Sequence, residues 1–235
     1  MPVSSSAHLA IVPRLLGWRY DALAPDERKA FEVALHAGTA PALALTALAG
    51  GRRPRPALLA LTVVPPALAG LVLERPIERR LGGPRTVAAA QIAAGAALWL
   101  TDRRGGDRAE PDARDHMAAG VAQALALVPG VSRAGAVLTA ARLRGLGRPA
   151  AADLALQAAL PVTAGAAALK GFRVARGDAL DGVPGMAAGA GASLTAAMAA
   201  RSVFRRVAGQ GSYWPLAVYR IAFGALALAA SRPRR

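Results

Sequence analysis

The chain has 235 residues, of which 54% are hydrophobic and only 18% are charged, and it contains no cysteine. A soluble domain carries about a quarter charged residues, so the composition argues against the alternative of a soluble alanine-rich helical bundle. The formal net charge of +15 is typical of nucleic-acid-binding proteins. The arginines, however, fall in short connectors between apolar segments, which indicates contacts with lipid headgroups and no nucleic-acid partner.

Apolar segments of about 14–21 residues with few or no charges recur along the chain. A membrane-spanning helix needs about 20 such residues, so this density predicts an all-α, polytopic membrane protein. The alanine and glycine in these segments favour close packing between helices. The predicted segments are residues 31–50, 57–73, 87–100, 150–169, 183–199 and 214–230.

Two stretches do not fit a simple membrane span. One is MPVSSSAHLAIVPRLLGW at residues 1–18, and the other is AGVAQALALVPGVSRAGAVLTAARL at residues 119–143. Pro129 and Gly130 break the second stretch into halves of about 12 residues, each too short to cross a bilayer. The break predicts a re-entrant hairpin or broken helix, which membranes tolerate only where it is buried in protein or lines a wet cavity.

The two irregular stretches resemble each other, because PVSSSAH and PGVSRAG each place a proline, a valine and serine ahead of a small residue. Each precedes an apolar helix. His36 and Gln157 occupy equivalent positions in these two helices, and Thr39 and Thr163 correspond more loosely. This pattern predicts one membrane domain over residues 1–235, an inverted-repeat helical bundle with two re-entrant or broken hairpins. Its repeats cover about residues 1–100 and 115–235, with a site at their interface.

The predicted site has the chemistry of an anion-binding site. Two broken-helix ends would present backbone N–H groups, serine hydroxyls and the guanidinium of Arg133 to one cavity. The alternative is that Ser132 and the serines at residues 4–6 only cap helices and that Arg133 reaches the membrane surface. We favour a functional Arg133, because it directly follows a Pro-Gly break inside an apolar run.

Other polar residues leave more than one interpretation open. His8 follows the N-terminal serines and could be a nucleophile or proton donor, since imidazole titrates near neutral pH, or it could be structural. Glu32 and Asp153 are the carboxylates inside the two repeat helices; they could hold a metal, pair with Arg133 or lie at a wet helix end. No Walker loop, dinucleotide fingerprint or metal-site spacing is present.

These residues resemble a known family, the undecaprenyl-diphosphate phosphatases, also called bacitracin-resistance proteins. The strongest match is GVAQALALVPGVSRAG at residues 120–135, against a family pattern of roughly G-x-x-Q-x-x-A-x-x-P-G-x-S-R-S-G. Further matches are PVSSSAHL, FEVALHAGT, VVPPALAGLVL and YWPLAVYRIAFG, which follow the family's order and span essentially the whole chain.

The resemblance implies a multi-pass enzyme of the bacterial plasma membrane with an active site open to the outer face. It would remove the terminal phosphate of undecaprenyl diphosphate, giving the monophosphate that carries cell-wall precursors, with a divalent cation, magnesium or calcium, as cofactor. A homodimer is a further expectation. The resemblance places Ser5, His8 and Arg133 in catalysis and Ser4, Ser6, Gln123, Gly130 and Ser132 in phosphate binding.

The chain also departs from the family pattern. Ala134 and Val137 replace hydroxyl residues worth about 1–3 kcal/mol each if buried against phosphate, which predicts catalysis slower by one to two orders of magnitude. Ala7 replaces a glycine, His36 a glutamine and Asp153 a glutamate.

A second departure concerns the segment before PVSSSAH, where the family carries E-G-x-x-E-x-L with the expected metal and acid–base glutamates. The sequence begins inside this motif, so we expect the true start to lie upstream. The alternative is a paralogue of reduced activity that binds or transports polyprenyl phosphates. The acid-phosphatase-like lipid phosphatases do not fit, because no histidine follows the Ser-Arg motif.

Overall fold

The computed structural model describes residues 2–48, 55–175 and 185–230, and they form helices joined by short turns. A single backbone bridge, between Arg108 and Leu146, is the extended pairing within these ranges. The all-α prediction is therefore confirmed. The helices are α1 (Ser5–Leu15), α2 (Pro25–Leu48), α3 (Pro56–Leu81), α4 (Pro84–Arg103), α5 (Ala113–Leu125), α6 (Arg133–Leu143), α7 (Arg148–Ala175), α8 (Met186–Gly209) and α9 (Trp214–Ala230), with a 3₁₀ turn at Arg19–Ala22.

The predicted apolar segments fall on α2, α3, α4, α7, α8 and α9. Residues 49–50 and 183–184, at the edges of two segments, lie outside the described residues. Among the described helices, α3 alone is long and apolar enough to cross a membrane, and α8 with α9 qualifies as a pair bent by 113°. This is fewer spans than the sequence predicts, because alanine and glycine are less apolar than leucine and valine. The finding fits a helical membrane protein.

The two irregular stretches fold into matching helix starts. Ser4 caps α1 by accepting the Ala7 N–H at 3.4 Å, and Ser132 caps α6 by accepting the Gly135 N–H at 3.3 Å. Ser4 and Ser132 have φ angles of 67° and 66°, and in the described ranges no other non-glycine residue has a positive φ. We call residues 2–4 the first tip and residues 129–132 the second tip.

Helices α4 and α9 pack closely because glycines face the partner helix. A Cβ on Gly95 would lie 3.2 Å from the Ala217 carbonyl oxygen, and a Cβ on Gly224 would lie 2.8 Å from the Ala88 carbonyl oxygen. Small residues at such a crossing let helix backbones approach within van der Waals contact. This helix pair provides the surface on which both tips rest.

A buried polar cluster joins the ends of α4, α6, α7 and α9. The Asp102 carboxylate accepts Arg148 Nε at 2.8 Å and the Tyr213 N–H at 2.9 Å, and it lies 3.5 Å from Arg142 Nε. Burial raises the pKa of the Tyr213 phenol, and the charge of Asp102 raises it further. Because Arg142 lies nine residues beyond Arg133, this cluster is about 14 Å along α6 from the second tip.

Candidate functional site

Arg133 is the first residue of α6 and carries the charge of the second tip. Its Nη1 donates to Thr163 Oγ1 on α7 at 3.2 Å, and Thr163 is buried. The ion pairs in the described part of the chain do not include Arg133. Arg133 therefore pairs with neither Glu32, which accepts the Tyr20 hydroxyl at 3.2 Å, nor the exposed Asp153. A guanidinium with no carboxylate, at a helix N-terminus, suits a phosphate anion.

Gly130 brings the second tip against α4. Its φ is +103°, a conformation that favours glycine, and a Cβ would lie 2.4 Å from the Val87 carbonyl oxygen. Any side chain would therefore push the tip off α4. The hydroxyl oxygen of Ser132 accepts the Gly135 N–H, so this oxygen lies at the N-terminus of α6.

The three serines at residues 4–6, where the first tip meets α1, lie in different surroundings. Ser4 is buried and its Oγ lies 3.1 Å from Ser6 Oγ. Ser5 and Ser6 are exposed. Of the three hydroxyls, that of Ser5 has no hydrogen-bond partner among the described residues, which leaves it open to a ligand or a reacting phosphoryl group.

His8 lies one turn into α1 and is held from both ring nitrogens. Nδ1 donates to the Ser4 carbonyl oxygen at 2.8 Å, so the proton is on Nδ1 because a carbonyl can only accept. Nε2 forms a hydrogen bond with the Tyr219 hydroxyl, and the ring stacks on Phe223 with centroids 4.4 Å apart. These contacts fix the orientation of the imidazole ring.

Gln123 is buried on α5 and forms its hydrogen bond with α3. Its Nε2 donates to the Thr62 carbonyl oxygen of α3 at 3.0 Å, and its Oε1 is buried without a hydrogen bond in the described structure. The residue thus anchors α5 to α3. Its phosphate-binding role stays a prediction.

Arg220 is a central residue that sequence reasoning does not single out. It is fully buried in α9. Its Nη2 donates to the carbonyl oxygens of Gly130 and Val131 at 2.9 Å each, and its Nη1 donates to the Pro2 carbonyl oxygen at 3.2 Å. One guanidinium therefore binds the backbone of both tips and brings the predicted halves of the site together.

Gln91 on α4 makes the corresponding contact with the first tip alone. Its Nε2 donates to the Val3 carbonyl oxygen at 2.7 Å, and the residue is fully buried. The signals that could have identified these residues are the lone arginine in YWPLAVYRIAFG and the lone glutamine in TVAAAQIAAGAALW. Tyr219, in the first of these segments, is the other residue that sequence reasoning missed.

The described residues do not fit a bound metal ion. No group of three or more histidine, aspartate or glutamate side chains comes together within them. The buried carboxylates of Asp102 and Asp115 are both engaged by arginines at the far end of the helices.

Comparison with known proteins identifies the family of the chain. Residues 1–226 match the family model of bacitracin resistance protein BacA. The chain is 36% identical to an undecaprenyl-diphosphatase of Trichlorobacter lovleyi, over 95% of this chain and 89% of the relative. It is 38% identical to one of Geobacter sulfurreducens, over 97% and 91%, and 36% identical to one of Gemmatimonas aurantiaca, over 97% and 91%. The chain belongs to the BacA family of bacitracin resistance proteins.

Proposed function

We propose that this protein hydrolyses undecaprenyl diphosphate to undecaprenyl phosphate and inorganic phosphate. One observation carries the proposal. Two serine-capped tips meet on Arg220, next to the guanidinium of Arg133, and no carboxylate of the described chain neutralises that guanidinium. The relatives named undecaprenyl-diphosphatase supply the lipid part of the substrate.

The tips offer the terminal phosphate several donors at once. The first-turn N–H groups of α1 and α6 have no helical acceptor, and helix N-termini attract anions. Arg133 adds a planar charged donor that stabilises the charge on the transferring phosphoryl group. The positive φ of each capping serine costs about 1–3 kcal/mol, and residues with such backbone strain cluster at functional sites.

The reaction breaks the bond between the terminal phosphorus and the bridging oxygen. Ser5 or His8 supplies the nucleophile or positions the attacking water, and undecaprenyl phosphate leaves with the bridging oxygen. The exposed hydroxyl of Ser5 suits direct attack, whereas His8 has Nε2 available to take a proton once the Tyr219 hydroxyl turns away. Water supplies the oxygen of the released phosphate, whichever residue acts first.

The proposal places the enzyme in the bacterial plasma membrane as a multi-pass protein with its site toward the outer face. The apolar α3 and the bent pair of α8 and α9 support membrane insertion. The matching caps of α1 and α6 support inverted repeats at about residues 1–100 and 115–235. A homodimer and a divalent cation, magnesium or calcium, stay predictions.

The test is phosphate release from undecaprenyl diphosphate by purified protein in detergent, with magnesium or calcium added and with EDTA as a separate condition. Arg133→Met is expected to lower kcat at least 100-fold, because one preorganised donor is worth about that much. Arg104→Met, at an exposed arginine beyond α4, is the matched control and is expected to keep wild-type turnover. Wild-type protein that binds the lipid but releases no phosphate would contradict hydrolysis and favour a lipid carrier.

A further inference from the structure

We propose that Arg220 is a positioning residue that orients the backbone of both tips so that their amide N–H groups face the bound phosphate. The proposal rests on the proposed function for the identity of the anion. Arg220 is fully buried and both of its terminal nitrogens donate to backbone carbonyls, so we give it no direct contact with the substrate.

The orientation follows from the planarity of the peptide bond. In a trans peptide the C=O and the following N–H point in opposite directions, and the described chain has no cis peptide. Arg220 binds the carbonyls of Pro2 and Val131, so the N–H groups of Val3 and Ser132 point away from the guanidinium. Gln91 binds the Val3 carbonyl and turns the Ser4 N–H in the same manner.

These amide groups are left available to a ligand. The N–H groups of Val3, Ser4 and Ser132 have no acceptor within the described residues. By contrast, the Val131 N–H, whose preceding carbonyl Arg220 also holds, donates to the Val128 carbonyl at 3.1 Å. Arg220 therefore fixes in each tip one N–H group from which an oxyanion can accept a hydrogen bond.

The packing around Arg220 reserves space for its guanidinium. A Cβ on Gly135 would lie 2.5 Å from Arg220 Nη1, and a Cβ on Gly95 would lie 3.0 Å from Arg220 Cβ. Arg220 is fully buried, and the ion pairs of the described chain do not include it. A buried charge that only carbonyl dipoles balance is costly, and a bound phosphate beyond the tips supplies the missing negative charge.

Arg142 provides a matched control at the far end of the helices. It is also buried, and it donates to the carbonyl oxygens of Gly106 at 2.9 Å, Leu146 at 2.6 Å and Asp102 at 3.2 Å. Both arginines thus hold three backbone carbonyls, but only Arg220 holds the tips. Arg142 also lies 3.5 Å from the Asp102 carboxylate. A purely structural role of Arg220 predicts that both substitutions change phosphate affinity only as far as they lower the melting temperature.

The experiment compares Arg220→Met, Arg220→Lys and Arg142→Met in the full-length protein in detergent. Binding of inorganic phosphate is measured by isothermal titration calorimetry, alongside kcat, KM for undecaprenyl diphosphate and the melting temperature. We expect Arg220→Met to weaken phosphate binding at least tenfold and to lower kcat about 100-fold. Arg220→Lys should recover part of both, because an ammonium donates to carbonyls but lacks the fork. Arg142→Met should lower the melting temperature and keep phosphate affinity within twofold.

Two results overturn the inference: wild-type phosphate affinity in Arg220→Met, or losses of affinity in both arginine variants that scale with the melting temperature. If Arg220→Met does not fold, Gly135→Ala displaces Nη1 while keeping the charge, with Gly70→Ala, whose Cβ meets nothing within 4 Å, as its control. Unchanged phosphate affinity in Gly135→Ala then refutes the inference. Wild-type protein whose phosphate affinity depends on Arg220 but which does not hydrolyse the lipid contradicts the proposed function alone.

Discussion

Replacing Ser132 with glycine is expected to raise stability while lowering activity. Ser132 holds φ at 66° and ψ at 116°, a backbone conformation that L residues rarely adopt and that costs about 1–3 kcal/mol. Its hydroxyl accepts the Gly135 N–H at 3.3 Å. At Ser132 the backbone strain lowers stability and the capping hydrogen bond raises it. The substitutions Ser132→Gly and Ser132→Ala separate the two effects.

The expected magnitudes have opposite signs. Ser132→Gly relieves the strain but loses a few tenths of a kcal/mol of capping and about 0.5–1 kcal/mol of chain entropy, so it stabilises by about 1 kcal/mol. Ser132→Ala keeps the strain and loses the cap, so it destabilises by about 1 kcal/mol. The gap of about 2 kcal/mol corresponds to about 4–8 °C in melting temperature for a chain of this size.

The assay is thermal unfolding in detergent together with phosphate release from undecaprenyl diphosphate. Both variants lose the hydroxyl, so both should lose about tenfold in kcat if that hydroxyl contacts phosphate, since a buried hydrogen bond is worth about 1.4 kcal/mol. At the exposed Ser202 inside α8 the order should reverse, because alanine is the better helix former by about 1 kcal/mol. If the alanine variant at position 132 is as stable as the glycine variant, the backbone of Ser132 is not strained and the reasoning is refuted.

Three further substitutions test the neighbours of the site and the far cluster. Tyr219→Phe keeps the ring but removes the hydroxyl on His8 Nε2, so kcat should fall up to about tenfold; unchanged kinetics would mean that the remaining contacts position the imidazole. Thr163→Val removes the acceptor of Arg133 and should weaken phosphate affinity several-fold, whereas Thr163→Ser should restore it; equal affinity in both would exclude this role. Asp102→Ala removes a buried carboxylate from its arginines and should lower the free energy of unfolding by about 3–5 kcal/mol. The melting temperature should then fall by at least about 6 °C, and a smaller fall would mean that water replaces the carboxylate.

The helical architecture was predictable because local pattern determines it. Long apolar runs can satisfy their backbone only as helices in a membrane, and the Pro-Gly pair at 129–130 predicts the break between α5 and α6. The likeness of PVSSSAH and PGVSRAG appears in the structure as two serine caps with positive φ. The number of clear spans was not predictable in this way, because alanine-rich segments look continuous in sequence, yet among the described helices α3 alone is apolar enough by itself.

The candidate site was predictable only where its residues lie on or beside the tips. Arg133 stands out because it follows a helix break, and the same membrane-depth argument applies with equal force to Arg220 in the apolar α9. Sequence cannot separate their roles, because the partners of Arg220 lie 89 to 218 residues away along the chain. Arg133 donates one hydrogen bond to Thr163, whereas Arg220 donates three to peptide carbonyls. The chemistry of an intramembrane arginine therefore depends on whether carbonyls or an open cavity surround it, and that is a property of the folded chain.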